Sequence, residues 1–371
     1  MTTSWTATHV AAIPADPPAI APITERHLAQ ASADLGLWDA WPVQMRDGTP
    51  ILLKGGAELW MALAAPRFSD PDMRHGQARI HLFRHQGGRW IPLGPAMPDG
   101  FSPGSREWSG SALLDESSGD VILYFTAAGR RGEGVPTFEQ RMFSARARLT
   151  DEGKLVDWDD LREVIPPNPS LYMPTTAGGA IGTIKAFRDP AYFRDPADGR
   201  HHLFFAGSLA GSSSAFNGVV GIASAPADRP GEWTIGPPLI SADGLNNELE
   251  RPHVVHHDGR YYLFWSTQAH VFDPAGPIGP TGLYGMVADA LAGPWRPLNG
   301  TGLVFANPAA APAQSYSWMV LPDLSVTSFI DNWGGGQDRR FGGTFAPFVR
   351  LWIDGDAAGV VALDACAKRQ G

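Results

Sequence analysis

Short apolar runs, most of them broken or closed by a turn signal, dominate this sequence from about residue 79 onward. RIHLFRH spans 79–85, SALLDESSGDVILYFTAA 111–128, HHLFFAGS 201–208, PHVVHHDGRYYLFWST 252–267, SWMVLPDLSVTSFID 317–331 and FVRLWID 348–354. SSGD, HDGR and PDLS interrupt the longer ones, and a run, a turn and a second run read as a β-hairpin. ERHLAQASADLG (25–36) predicts a short helix, and nothing further along sustains a helical repeat. The 43 glycines and 33 prolines are scattered rather than periodic, which suits many short strands joined by tight turns. The expected class is all-β.

With 371 residues, 43 % of them hydrophobic, the chain can build one large core. Residues 1–25, rich in Ala, Pro and Thr, predict an extended N-terminal arm, and 26–371 a single domain. The net charge is −9 and no Lys/Arg block interleaves with aromatics, which argues against nucleic acid and suits a neutral or polar small substrate. Cys366 stands alone, so neither an internal disulfide nor a thiolate metal site is expected. The first residues, MTTSWTATHVAAIPADPPAIAPI, offer no basic region followed by an unbroken apolar one. No apolar run approaches the roughly 20 residues of a membrane span. The expectation is a soluble protein without a membrane partner, cytoplasmic or secreted without a recognisable signal peptide, and needing no cofactor.

The chemically loaded segments recur. LWDAWP lies at 37–42, EWSGSA at 107–112, FRDPAY at 187–192, ELERPH at 248–253 and QSYSW at 314–318, with gaps of about 60 to 80 residues. A propeller blade needs four strands and their turns, about 40–50 residues, and more where loops are long. The spacing therefore predicts a five-bladed β-propeller, each blade aiming one strand end at a central funnel-shaped pocket.

Each segment has a functional and a bland reading. Asp39 sits between Trp38 and Trp41, and an acid beside apolar bulk is costly unless something uses it. It reads equally as a carboxylate nucleophile with a sugar-stacking tryptophan or as a strand-end cap. Most of the thirteen tryptophans read as core filler. In Glu107-Trp108-Ser109-Gly110-Ser111, the small residues let a ligand approach the backbone and Ser109 can hydrogen-bond a carboxylate or a sugar hydroxyl. Arg188 and Asp189 should point to opposite faces of a strand unless a bulge intervenes. The near-copy FRDP at 193–196 leads into a hairpin tip, so Asp195 is expected to be a surface turn residue and Asp189 the candidate. Glu248 and Glu250 should share one face of a strand, and like charges so close raise the pKa of at least one, as a general acid requires. His253, His256 and His257, like His201 and His202, read as ordinary strand histidines rather than a metal site.

Taken in order from about residue 36 to about 355, these segments, with TGLYGMVAD (281–289) and GGTFAPFVRLWIDGD (342–356), resemble glycoside hydrolase family 68. That family comprises the levansucrases, inulosucrases and related bacterial β-fructofuranosidases. The resemblance implies a five-bladed β-propeller with a deep acidic pocket that takes sucrose and sugar acceptors. By motif, Asp39 is similar to the nucleophile that forms a fructosyl-enzyme, Glu250 to the general acid/base and Asp189 to the transition-state stabiliser. Trp38, Trp108, Ser109 and Arg188 would shape the fructosyl subsite, and Glu248, Gln268 and Tyr316 the glucosyl or acceptor side. Arg251, with Arg188 and Glu248, would tune the carboxylates. Several Gram-negative levansucrases carry His where Gln268 stands. The acidic residue that serves calcium in Gram-positive members is Asn247 here, so no metal is expected. The chain is also shorter than many relatives, with fewer surface insertions. Two other readings compete: a propeller glycosidase on another furanoside, such as a fructan or arabinan, and a non-catalytic sugar-binding propeller.

Overall fold

The computed structural model describes residues 2–28, 30–174, 176, 184–333 and 339–361. Cys366 lies outside them. The chain is all-β, organised as five successive antiparallel meanders. The first contains Leu35–Gln44, Glu58–Pro66, Arg79–Gln86 and Arg89–Pro95, and the second Arg106–Asp115, Asp120–Ala128, Gln140–Leu149 and Leu155–Ile165. The third runs through Phe187–Arg194, His201–Ser208 and Gly218–Ala225, the last pairing with both Thr234–Ile235 and Ile240–Ser241. Glu250–His257, Arg260–Thr267 and Gly282–Ala288 form the fourth, edged by Arg296–Pro297 and Leu303–Ala306. The fifth comprises Ser315–Val320, Ser325–Ile330, Val349–Asp354 and Ala357–Val361. Each apolar run read from the sequence forms strands, and SSGD, HDGR and PDLS lie at hairpin turns.

Burial explains the sequence pattern of each layer. His201–Ser208 is covered on both faces and every residue is buried, so HHLFFAGS shows no alternation. The outermost strand of the second meander, Leu155–Ile165, is exposed along its middle, where its five charged residues lie. The first strands pack on one another between meanders one and two, two and three, three and four, four and five, and five and one. The first two are also joined by a short parallel pairing, Val43 with Ala112 and Gln44 with Leu113. Trp41, Trp60, Trp265 and Trp318 are fully buried, as core tryptophans should be.

The expected helix at 25–36 is reduced to one 3-10 turn, Glu25–His27, because the strand beginning at Leu35 claims its end. The arm before it is packed against the meanders. Thr3–Ser4 pairs in parallel with Ile240–Ser241, and the isolated bridge Ala19–Ala306 holds the far end. Between them Trp5 is buried against Trp265, Phe272 and Tyr284, and its Nε1 donates to Thr301 O at 2.9 Å. Asp195 needs a correction. It is a turn residue, but it is only 6 % exposed, and its carboxylate accepts from Tyr261 Oη at 2.6 Å. That bond ties the hairpin of the third meander to the fourth. His253 is buried likewise, bonding Arg251 O at 2.9 Å and accepting from the Val320 amide at 2.8 Å. Burial lowers its pKa to about 4, so it is a neutral strut between strands.

One device recurs in all five first strands. Their register breaks between Trp38 and Trp41, Trp108 and Gly110, Arg188 and Ala191, Glu250 and His253, and Tyr316 and Met319. These are β-bulges, which re-aim side chains at the rim of a sheet. In four of them a non-glycine residue takes the left-handed region: Asp39 at φ 51°, Asp189 at 64°, Arg251 at 50° and Ser317 at 59°. Each such residue carries a strain of about 1–2 kcal/mol. The second strand relies instead on Gly110, where an added Cβ would lie 1.9 Å from Tyr124 O.

Candidate active site

The bulges converge on one cavity of about 350 Å³. Every residue singled out for the pocket lines it: Trp38, Asp39, Trp108, Ser109, Arg188, Asp189, Glu248, Glu250, Arg251, Gln268 and Tyr316. The bulge at Arg188/Ala191 is the reason neighbours Arg188 and Asp189 both border the same space. Glu248 and Glu250 also both border it, although Glu248 precedes the strand that begins at Glu250.

Arg188 organises the acids. Its Nη2 donates to Glu250 Oε1 at 2.6 Å and Glu248 Oε2 at 3.2 Å, and its Nε lies 3.6 Å from Asp189 Oδ2. Burial opposes its charge, but the three carboxylates outweigh that and raise its pKa above the ordinary arginine value. Arg251 lies beneath, donating to Ser317 Oγ and Ala40 O at 2.8 Å each and stacking its guanidinium 5.7 Å from the Trp41 ring centre. Asp39 Oδ2 accepts from Ser109 Oγ at 2.6 Å. Glu250 Oε2 accepts from Tyr316 Oη. Burial, reinforced by the Glu250 charge, holds the Tyr316 pKa far above its usual value, so the phenol keeps its proton to donate.

Four carboxylates, Asp39, Asp189, Glu248 and Glu250, thus meet two guanidiniums in a low-dielectric space. The excess negative charge favours bound protons. Burial first, then the charges of Glu250 and Asp39, raise the Asp189 pKa to about 7 against the pull of Arg188 and Arg251. Glu248 is raised by burial and by Glu250, with Arg188 opposing. The site can therefore hold ionised and protonated carboxyl groups side by side near neutral pH, which acid/base chemistry needs. Trp38 and Trp108 add apolar ring surface, and Trp108 Nε1 has no hydrogen-bond partner among the described residues.

With this geometry in place, the comparisons with known proteins are decisive. A family model described as Levansucrase/Invertase matches residues 1–217 and 212–367. This chain belongs to glycoside hydrolase family 68. Levansucrase LscA of Pseudomonas savastanoi pv. glycinea is 34 % identical over 92 % of this chain and 89 % of its own length. The levansucrase of Erwinia amylovora is 33 % identical over 93 % of this chain and 91 % of its own length. Among solved structures, the inulosucrase from Halalkalicoccus jeotgali bound to kestose superposes with a TM-score of 0.88 at 35 % identity, covering 98 % of this chain and 96 % of that one. The catalytic domain of the Microbacterium saccharophilum β-fructofuranosidase gives a TM-score of 0.85 at 25 % identity, covering 97 % of this chain and 91 % of that one.

The family motifs account for the floor of the pocket but not for its rim. Asp72, Arg74 and His75, on the 3-10 helix Pro71–Gly76, border the cavity with His270, Asp331, Asn332 and Arg339. Arg339 Nη1 meets Asp72 Oδ1 at 2.7 Å and its Nη2 lies 3.7 Å from Asp331 Oδ1, bridging the first and fifth meanders. Arg74 is nearly as buried as the floor, stacked 4.2 Å from the Phe341 ring centre and 5.6 Å from that of Trp38. Burial and the Arg74 charge lower the His75 pKa to about 3, so this imidazole is neutral. These residues come from the connections between strands, some of them on short 3-10 turns. Their one sequence signal was SDPD at 69–72, where Asp70 caps the helix by accepting from the Asp72 amide at 3.0 Å.

Proposed function

We propose that this chain is a retaining, sucrose-cleaving fructosyltransferase whose five meanders are the blades of a propeller around the active-site axis. One observation carries the reading: Asp39, Asp189 and Glu250, from three different meanders, border a single cavity with a hydrogen-bonded arginine among them. Relatives named levansucrase and inulosucrase, one of them holding kestose, support sucrose and fructose-bearing acceptors as the substrates.

Asp39 is the nucleophile. Ser109 fixes Oδ2, and the carboxylate attacks the anomeric carbon of the fructosyl unit as its bond to glucose breaks. Glu250 gives its proton to the departing glucosyl oxygen, held in place by Arg188 on one oxygen and Tyr316 on the other. Asp189 lies beside the ring and offsets the positive charge of the oxocarbenium-like transition state, gaining hydrogen bonds from fructosyl hydroxyls. In the second half-reaction Glu250 takes a proton from water or a sugar hydroxyl, whose oxygen attacks the fructosyl carbon and releases Asp39. The rim residues, with Gln268, meet the incoming acceptor.

Incubation with concentrated sucrose tests this directly. Glucose release is expected from the native chain and is expected to fall by at least about 10³-fold in Asp39→Ala and Glu250→Ala. Glucose in excess of fructose reports transfer, and equal amounts report hydrolysis. A folded native protein that frees no glucose from sucrose overturns the reading, and stable sucrose binding without turnover would instead mark a sugar-binding propeller.

A further inference from the structure

Lys185 stands just before the strand Phe187–Arg194 and does not line the cavity. Its ammonium donates to Asn247 Oδ1 at 2.6 Å, to Asn217 Oδ1 at 2.9 Å and to the carbonyl of Ala215. Its three donors therefore have three neutral oxygens as partners. An ammonium cannot accept, so it fixes which end of the Asn247 amide faces it. The other end, Nδ2, then donates to Glu248 Oε1 and to Ile184 O, each at 3.2 Å. Glu248 Oε2 accepts from Arg188 Nη2, and the same nitrogen holds Glu250 Oε1. An unbroken line of side chains runs from Lys185 through Asn247, Glu248 and Arg188 to the proton donor.

The Asn217 amide completes the mount. Its Nδ2 donates to Leu209 O at 2.9 Å and contacts Met173 Sδ at 3.2 Å, which fixes its oxygen toward the lysine. Two amides from two separate loops thus present oxygen to one ammonium. Without that cation the two amide oxygens face a common space with no shared donor, and the Asn247 amide is left with its two 3.2 Å bonds from Nδ2 to Glu248 and Ile184. The Glu248 charge acts in the same direction, supporting the protonated lysine against the burial that lowers its pKa.

We propose that Lys185 is a positioning residue for sugar cleavage, acting through the Asn247 amide on Glu248 and, by way of Arg188, on Glu250. The proposal rests on the assignment of Glu250 as the proton donor above. A displaced donor weakens the transition state more than the bound ground state, so the loss should fall on kcat.

The test is a double-mutant cycle in the full chain, with kcat and KM for sucrose and the melting temperature measured for native protein, Lys185→Met, Asn247→Leu and the double variant. Lys185→Met should lower kcat about tenfold, as a small misplacement of a reacting group does, with KM changed less than about twofold. The double variant should be no worse than the poorer single one, because both cut the same line. Lys185→Gln, which keeps N–H donors without the charge, should retain an intermediate kcat, and it replaces Lys185→Met in the cycle if the latter does not fold. An unchanged kcat, losses that multiply in the double variant, or a loss explained wholly by a smaller folded fraction would overturn the proposal. Absence of sucrose cleavage in the native protein would instead overturn the functional assignment beneath it.

Discussion

Replacing Asp189 by asparagine removes one charge from a cavity that holds too many of one sign. The residue is 6 % exposed and its pKa is raised to about 7 from an ordinary 3.8. A carboxyl group whose folded pKa lies above its unfolded one stabilises the fold only while protonated. Its contribution is complete below the unfolded value and is lost as pH rises through the folded one. The window here runs from about pH 4 to about pH 7, after which both states are ionised and the effect is flat. Linkage over that shift gives a loss of about 2–3 kcal/mol between pH 5 and pH 8. Unfolding entropy near 2 cal/mol/K per residue, over 371 residues, converts this to about 3 °C in Tm. Asparagine cannot ionise, so Asp189→Asn should lose about 3 °C less than the native chain between those pH values while sugar cleavage falls by orders of magnitude. Calorimetry at matched scan rate from pH 5 to pH 8 makes the comparison, with Glu248 present in both proteins so that its own titration is shared. Parallel Tm curves for the two proteins would refute the idea that Asp189 is held in the fold against its own charge.

Three further outcomes follow from individual contacts. Ser109→Ala removes the only side-chain donor to Asp39 Oδ2 among the described residues, and should cut kcat about tenfold while leaving Tm within a degree or so, read by initial-rate kinetics and a thermal melt. Trp5→Ala empties a fully buried site between Trp265, Phe272 and Tyr284, and should destabilise the protein by about 3–5 kcal/mol in urea unfolding; a loss below about 1 kcal/mol would mean the arm does not brace the meanders. Gly110→Ala drives a methyl group to 1.9 Å from Tyr124 O, so the bulge must open and Ser109 must move; soluble protein with native kcat would show that the bulge does not aim Ser109.

The hairpins were legible because strand and turn chemistry are local. A run such as PHVVHHDGRYYLFWST carries its own fold in two apolar stretches and a central DG. The floor of the pocket was legible for a different reason. Its residues lie in contiguous clusters, WDAWP, EWSGS, FRDP and ELER, so each candidate carboxylate already stands out in the chain. The rim had no such cluster. Arg74 lies far in the chain from Asp331 and Arg339, and it meets Asp331 only because the first and fifth meanders are neighbours. Asp195 misled for the opposite reason. Its local context, DPADGR, spells a turn correctly, but burial is decided by Tyr261, 66 residues further on.

The bulges mark the boundary between what local sequence can and cannot specify. An ideal strand would send Arg188 and Asp189 to opposite faces, leaving the guanidinium without the three acids it joins. Turning Asp189 into the left-handed region sets both on the cavity, and the same turn is made at Asp39, Arg251 and Ser317. Nothing in the propensities of Asp, Arg or Ser demands that conformation. Its strain is held in place by contacts from elsewhere: the Asp189 amide donates to Thr126 Oγ1 at 2.9 Å, and Ser317 accepts from Arg251. At Asp189 the strained backbone and the unfavourable charge share one residue. A chain selected for stability alone would relax both, straightening the strand and neutralising the acid. That both persist at Asp189, with the same backbone turn repeated in three other meanders, is the physical argument that this cavity is maintained for chemistry rather than for folding.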